Sequence, residues 1–294
     1  MDDKQKVTAK GKESQAAGRD IVENHYHIGP NLSEIQSLIE LTYNEQVKKL
    51  VSEYMHKNMQ TFAKNLLNTI DAKSLSEKIS SSPDLAFVID KTIKIVGEKG
   101  DNLDLDVLLK LIEDRINSND NSFLNIVIEQ SIEKVDKLTS KQIALLTHIH
   151  VIQNISFKVT TPQELDDIFK NLMPLVEDSF DISEANKKYL ASLGLIEINI
   201  LKGNNTKDKF YNTYKYFSEK LNRDEFINKY MELNFNEPEF LENNNDNFEN
   251  LKKFYMNYEI NELYQLHLTT VGEMIALSNL KKIYPDLNVE IWIK

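Results

Sequence analysis

Apolar residues recur along most of this chain at helical spacing. Ile35, Leu38, Ile39, Val47, Leu50, Val51, Tyr54, Met55, Phe62, Leu66 and Ile70 keep one side of a 3.6-residue repeat, which predicts a long helix within 31–72. Ser33 and Gln36 form a capping box at its start. At about 1.5 Å per residue the rod would reach roughly 55–60 Å, unless it breaks near Thr42-Tyr43-Asn44. Ser82-Pro83-Asp84 opens a second helix with proline at its first position, and Gly97 is its expected end. Its stripe is Leu85, Val88, Ile89, Ile93 and Val96. Leu105, Leu108, Leu109, Ile112 and Ile116 form another stripe, and Leu124, Val127, Ile128, Ile132 and Val135 a further one. Two more capping boxes, Thr139 with Gln142 and Thr161 with Glu164, open helices of a body spanning 73–180.

The pattern changes near residue 181. A short helix stops at Gly194, Leu195–Ile200 reads as a strand, and Tyr264–Leu268 reads as a second. A helix follows, with Thr270 and Glu273 as the expected cap, and Val289, Ile291 and Ile293 alternate as a last strand. That order makes 181–294 a winged-helix-like unit with a small sheet, interrupted at its wing by an aromatic and Asn-rich insertion over about 207–261. The fold class is mainly α: a long N-terminal helix, a helical body and this C-terminal unit.

The first 30 residues differ again. They hold Gly11, Gly18 and Gly29, three of the eight glycines, and 1–17 reads as a disordered tail. Residues 18–29 alternate, with Val22, Tyr26 and Ile28 on one face and Ile21, His25 and His27 on the other. A lone strand is not stable in water, so it pairs either with its own body or with another copy. Assembly covers both this strand and the long apolar stripe behind it, which makes Asp20, Ile21, Val22, Tyr26, Ile28, Ile35, Leu38 and Ile39 the expected self-association residues.

Composition narrows the chemistry. The 294 residues include no cysteine, which excludes disulfides, thiolate zinc sites and thiol nucleophiles and suits a reducing cytoplasm. The N-terminus has no apolar core of a secretory signal, and no run approaches the roughly 20 apolar residues of a membrane span. Net charge is -11, while residues 1–30 balance at five basic and five acidic side chains. A negative field opposes phosphate backbones, so nucleic acid is not the expected partner. Tyr230 to Leu251 carries six acids and no Lys or Arg, which reads as a solvated acidic loop.

No phosphate loop, dinucleotide fingerprint, zinc-protease helix or nucleophile elbow occurs in the sequence. His25 and His27 share a strand face at a spacing that suits two metal ligands, but nothing supplies the other two, so a polar face is the default. His148 and His150 sit two apart on a helix, so one is expected in the core and one outside. Asp101, Asp104 and Asp106 flank a helix start and read as capping acids. Arg19, Arg115 and Arg223 stand out in a Lys-rich chain, and Arg115, at the end of an apolar stripe, suits a buried or partner-facing ion pair. Trp292 lies across the expected last strand from its apolar residues. No catalytic residue, cofactor or metal is assigned.

Several motifs are familiar together: Ala17-Gly18-Arg19-Asp20-Ile21-Val22, Ser82-Pro83-Asp84, the Leu108–Arg115 helix, and an ending from Leu268-Thr269-Thr270-Val271-Gly272 through Asn279-Leu280-Lys281 to Ile291-Trp292-Ile293. In these the sequence resembles a poorly characterised bacterial family nearly end to end. Relatives often carry a longer Gly-rich N-terminal run than the single Gly-Asp-Ile-like unit here, which argues against a solenoid. More distantly the body is similar to Abi-alpha abortive-infection proteins, through Leu193-Gly194-Leu195-Ile196 and the Leu-Thr-x-x-Gly helix entry. The resemblance implies a phage-defence setting. The expected function is a non-enzymatic, homo-oligomeric sensor or scaffold, whose expected partners are a second copy of itself and another defence or phage protein. The alternative is a winged-helix nucleic-acid-binding regulator, for which Lys187, Lys188, Lys281 and Lys282 are the obvious basic candidates.

Overall fold

The computed structural model describes residues 45–118, 123–218, 220–231 and 248–293. By internal contact the chain separates into two compact units, Met1–Glu53 and Tyr54–Lys294. The described part of the first is the opening of helix α1, Glu45–Thr69. There Leu50 and Val51 are 65% and 52% exposed, and Lys49 pairs with Glu53 across one turn at 3.9 Å. The residues upstream, including the Ser33 capping box, lie outside the described set.

The second unit is a helical body. In its part of α1, Phe62 and Leu66 are buried. α2 (Ala72–Ser81) starts at Asp71, whose carboxylate accepts from Ser74 N. α3 (Pro83–Lys99) starts at Ser82 with Pro83 in its first turn, as the sequence predicts. Its end differs. Gly97 is interior, packed so closely against Met59 that an added Cβ would meet Met59 Cε at 2.6 Å. The stop is Gly100, at φ 52°, which a β-carbon disfavours. α4 (Leu105–Asn117) is capped by Asp104, which accepts from Val107 N at 3.1 Å. α5 (Phe123–Val135) buries Leu124, Val127, Ile128, Ile132 and Val135, the whole predicted stripe.

Two helices form the axis of the core. α6 (Ser140–Asn154) is buried from Gln142 to Ile152, and α12 (Thr270–Leu280) is buried from Gly272 to Leu280 apart from Glu273. A helix apolar on every side needs neighbours on every side. α12 lies against α6, α5 and α4. Asn279 and Thr147 join it to α6 by a buried hydrogen bond of 2.9 Å. Arg115, 1% exposed, links three helices: its Nε donates to Glu129 on α5 at 2.8 Å and its Nη2 to Asp84 on α3 at 2.9 Å. The ion pair expected at this arginine is therefore intramolecular, with the guanidinium buried and its carboxylate partners reaching solvent.

α7 (Pro162–Val176) begins with the predicted box: Thr161 Oγ1 accepts from Glu164 N at 3.2 Å, and Glu164 accepts from Thr161 N. α8 (Glu184–Ser192) ends before Gly194, at φ 72°. Strands β1 (Ile196–Ile198) and β2 (Leu266–Leu268) pair antiparallel, Ile196 opposite Leu268. Between them the insertion folds as α9 (Thr206–Tyr214), α10 (Arg223–Tyr230) and α11 (Glu249–Ile260). Its aromatics form one nest, with Phe210 and Tyr255 at 4.9 Å and Phe226 and Tyr230 at 4.6 Å between centroids. Buried Asp166 on α7 fastens it by accepting from Leu251 N at 2.8 Å, supplying an acceptor to the first turn of α11 where Phe248 has none.

Two expectations at the C-terminus are corrected. The cap of α12 is Thr269, whose Oγ1 accepts from Gly272 N at 3.2 Å; Thr270 is already helical. Val289–Ile291 is a 3-10 turn and not a strand. Asn288 accepts from Glu290 N, which starts the turn, and Ile293 N donates to Val289 O. Val289 and Ile293 are buried while Ile291 is 62% exposed. Positions 289 and 293 share a face at either period, so alternation over so short a run cannot tell a strand from a turn. Among the described residues the sheet therefore has two strands, and no helix there is long and apolar enough to cross a membrane.

Candidate functional site

Where the insertion meets the body there is a cleft of about 320 Å³. Its floor is the end of α6, Ile152 to Asn154. One wall is the segment after β1 and the face of α9, with Lys202, Lys209 and Tyr214; the other brings Tyr258 of α11 and His267 of β2. The last carbonyls of a helix have no intrahelical donor. Lys209 supplies one here, its ammonium donating to Gln153 O and, at 3.4 Å, to Ile152 O. Gln153 binds the far side, its Nε2 donating to Leu266 O at 2.7 Å and to the Tyr258 hydroxyl at 2.8 Å. The Tyr214 hydroxyl accepts from Phe157 N at 3.0 Å.

The cleft is electropositive in an acidic chain. Burial lowers the pKa of Lys209, and that of Lys202 is lowered by burial and then by the nearby Lys209 charge. Lys202 Nζ lies 3.5 Å from His267 Nδ1. The lining has no carboxylate. Glu259 is engaged by Lys207 at 3.6 Å and by Asn204 at 3.4 Å, and Glu273 accepts from Asn154 at 2.9 Å. Burial pushes the Tyr258 phenol up to about 12, so it stays protonated. The arrangement offers fixed donors and cations to an anion.

The sequence had not pointed to this cleft. Lys202, Lys209 and His267 come from separate elements, and only the aromatic, Asn-rich composition of the insertion marked the region. The expected self-association residues Asp20, Ile21, Val22, Tyr26, Ile28, Ile35, Leu38 and Ile39 lie outside the described residues, as do His25 and His27. Among the described residues no three His, Asp or Glu gather as metal ligands. His148 and His150 are both buried, against the expectation that one would be exposed, because α6 is enclosed on all sides. They do face apart: His148 lies against Phe254 at 4.5 Å and His150 against Trp292 at 4.9 Å. Arg223 is spent on Asp208 and Asp224 at 2.6 and 2.7 Å.

A protein-family model matches the chain over residues 29–237 and 222–293; its description is a bare "-like" and names no activity. No curated protein and no solved structure matches. The two matched segments together take in most of the chain, which therefore belongs to that uncharacterised family.

Proposed function

We propose that this chain is a non-enzymatic interaction protein, an oligomeric sensor or scaffold in bacterial phage defence or abortive infection, working in the cytoplasm. The observation that carries the assembly part is the open apolar side of α1, where Leu50 and Val51 stand exposed. Exposed large aliphatic residues in succession on an amphipathic helix are covered at modest cost by a second copy of the same helix. Ile35, Leu38 and Ile39 carry the stripe upstream in the sequence, and Asp20–Ile28 offers strands to pair. The defence setting rests on the resemblance to Abi-alpha proteins and on the same motifs at both ends.

Mass in solution tests this. The full chain is expected to exceed the monomer mass at tens of micromolar. Leu50→Glu with Val51→Glu, and separately removal of 1–30, are expected to lower that mass with helical content retained. A strictly monomeric wild type overturns the assembly reading. Unchanged phage plating on cells carrying the wild type overturns the defence reading.

The regulator alternative keeps one supporting feature, the order α8, β1, β2, α12 of a winged-helix-like part. Its basic candidates are mostly committed elsewhere. Lys187 is buried and donates to Glu184 at 2.5 Å and to Asn261 O at 2.6 Å. Lys281 is buried against Asp114, and Lys282 donates to Asp104 at 2.8 Å. Of the four, Lys188 alone is exposed without an ion pair among the described residues.

A further inference from the structure

We propose that the cleft between the insertion and the body binds a small organic phosphate, with Lys202 and Lys209 taking its dianionic group and Tyr214, Tyr258 and their neighbours enclosing its organic part.

Lys209 has a structural role already, since it closes the end of α6. That role does not extend to Lys202. No carboxylate pairs with Lys202 among the described residues, and the groups that act on it are an imidazole and another ammonium. Two like charges brought into a partly buried cleft raise each other's energy. An anion placed between them relieves both at once. A phosphate monoester carries close to two negative charges at neutral pH and accepts several hydrogen bonds. A single carboxylate would leave one ammonium uncompensated. His267 and the lining hydroxyl of Thr206 add donors of the kind a phosphate needs. Inorganic phosphate alone would not fill about 320 Å³. That volume, at the lower end of ordinary ligand pockets, suits a phosphate bearing one ring system. This inference stands apart from self-assembly, because every residue it uses lies in the second unit.

Calorimetric titration of the full chain with phenyl phosphate, inorganic phosphate and benzoate tests it. Phenyl phosphate is expected to bind best, inorganic phosphate more weakly and benzoate weakest. Lys202→Gln is expected to weaken phenyl phosphate at least about tenfold, as loss of a charge-assisted contact does, while the melting temperature without ligand stays put. Lys188→Gln, on exposed α8, is expected to change nothing. Should Lys209→Gln loosen the fold by freeing the end of α6, Lys202→Gln still decides. Absence of phenyl phosphate binding overturns the proposal, as does binding indifferent to Lys202→Gln. Benzoate binding as tightly as phenyl phosphate overturns the dianion, and equal binding of the two phosphates overturns the organic part.

Discussion

His150 shows what burial does to a single titrating group. Its Nδ1 lies 3.1 Å from Asn154 Nδ2, which can only donate, so the neutral ring carries its proton on Nε2. That nitrogen is buried and has no hydrogen-bond partner among the described residues. Burial pushes the group from the usual 6.5 down to about 4, and pushes His148 down to about 3. Both folded values lie below the unfolded one, so the native state binds fewer protons. Their stabilisation is complete above pH 6.5 and is lost as pH falls toward about 4 and then about 3. Asp114 and Glu273 act in the opposite sense, because burial raises both carboxyls and favours their protonated forms. His150→Phe separates these contributions. The variant is expected to lose roughly 3 kcal/mol less than wild type between pH 6.5 and 4. Urea melts across that range measure it, and identical acid profiles would defeat the account. The burial that causes this was only half legible. The spacing of His148 and His150 correctly separates their directions, but it carries no information about how many helices surround α6.

At the scale of elements, starts were easier to read than ends. A helix start is written in a few adjacent residues: Ser82-Pro83, Asp104, Thr139 with Gln142, and Thr161 with Glu164 each act locally. An end depends on what lies alongside. Gly97 reads as a terminator, yet its missing β-carbon serves the approach of α1. Gly272 is a sharper case. An added Cβ there would meet Leu195 O at 2.1 Å, and that carbonyl already accepts from Thr269 N at 3.0 Å. Thr269 Oγ1 donates in turn to Gly194 O at 2.7 Å, so the start of α12 is joined to the link between α8 and β1. Gly272→Ala must therefore push two backbone segments apart. It is expected to cost about 3 kcal/mol, the upper part of the overpacking range, in urea denaturation. Gly203→Ala, with nothing within 4 Å of the added carbon, is expected to be neutral or slightly stabilising. Equal effects at the two positions would contradict this reading of α12.

For the whole molecule, net charge and the disposition of lysines lead to the same expectation. The chain carries -11, and Lys187, Lys281 and Lys282 are held by Glu184, Asp114 and Asp104. Release of counterions from DNA needs free cations on one face, and three of the four lysines beside the two strands and their flanking helices are already paired. Duplex DNA is therefore expected to bind no tighter than the micromolar range at physiological salt. Fluorescence anisotropy at two salt concentrations checks this. Submicromolar, salt-sensitive binding lost on Lys188→Glu would bring the regulator reading forward. The basic cleft does not conflict with this expectation, since a volume of about 320 Å³ is too small for a duplex.

What the sequence determined by itself was local: helical stripes, the capping residues of the body helices, the order of strands β1 and β2, and the mainly α class. Each follows from residues within one or two turns of each other, where side-chain periodicity and unpaired backbone groups decide the outcome. Tertiary structure decided which stripes are enclosed, where Val289 to Ile293 turns, and which lysines are neutralised. It also assembled the cleft, bringing Lys202 and His267 together across 65 residues and Lys209 to the end of α6 across 56. Burial of a charge, and the partner that answers it, are properties of three-dimensional neighbours. A linear pattern of apolar and polar positions contains the charge but not the neighbour.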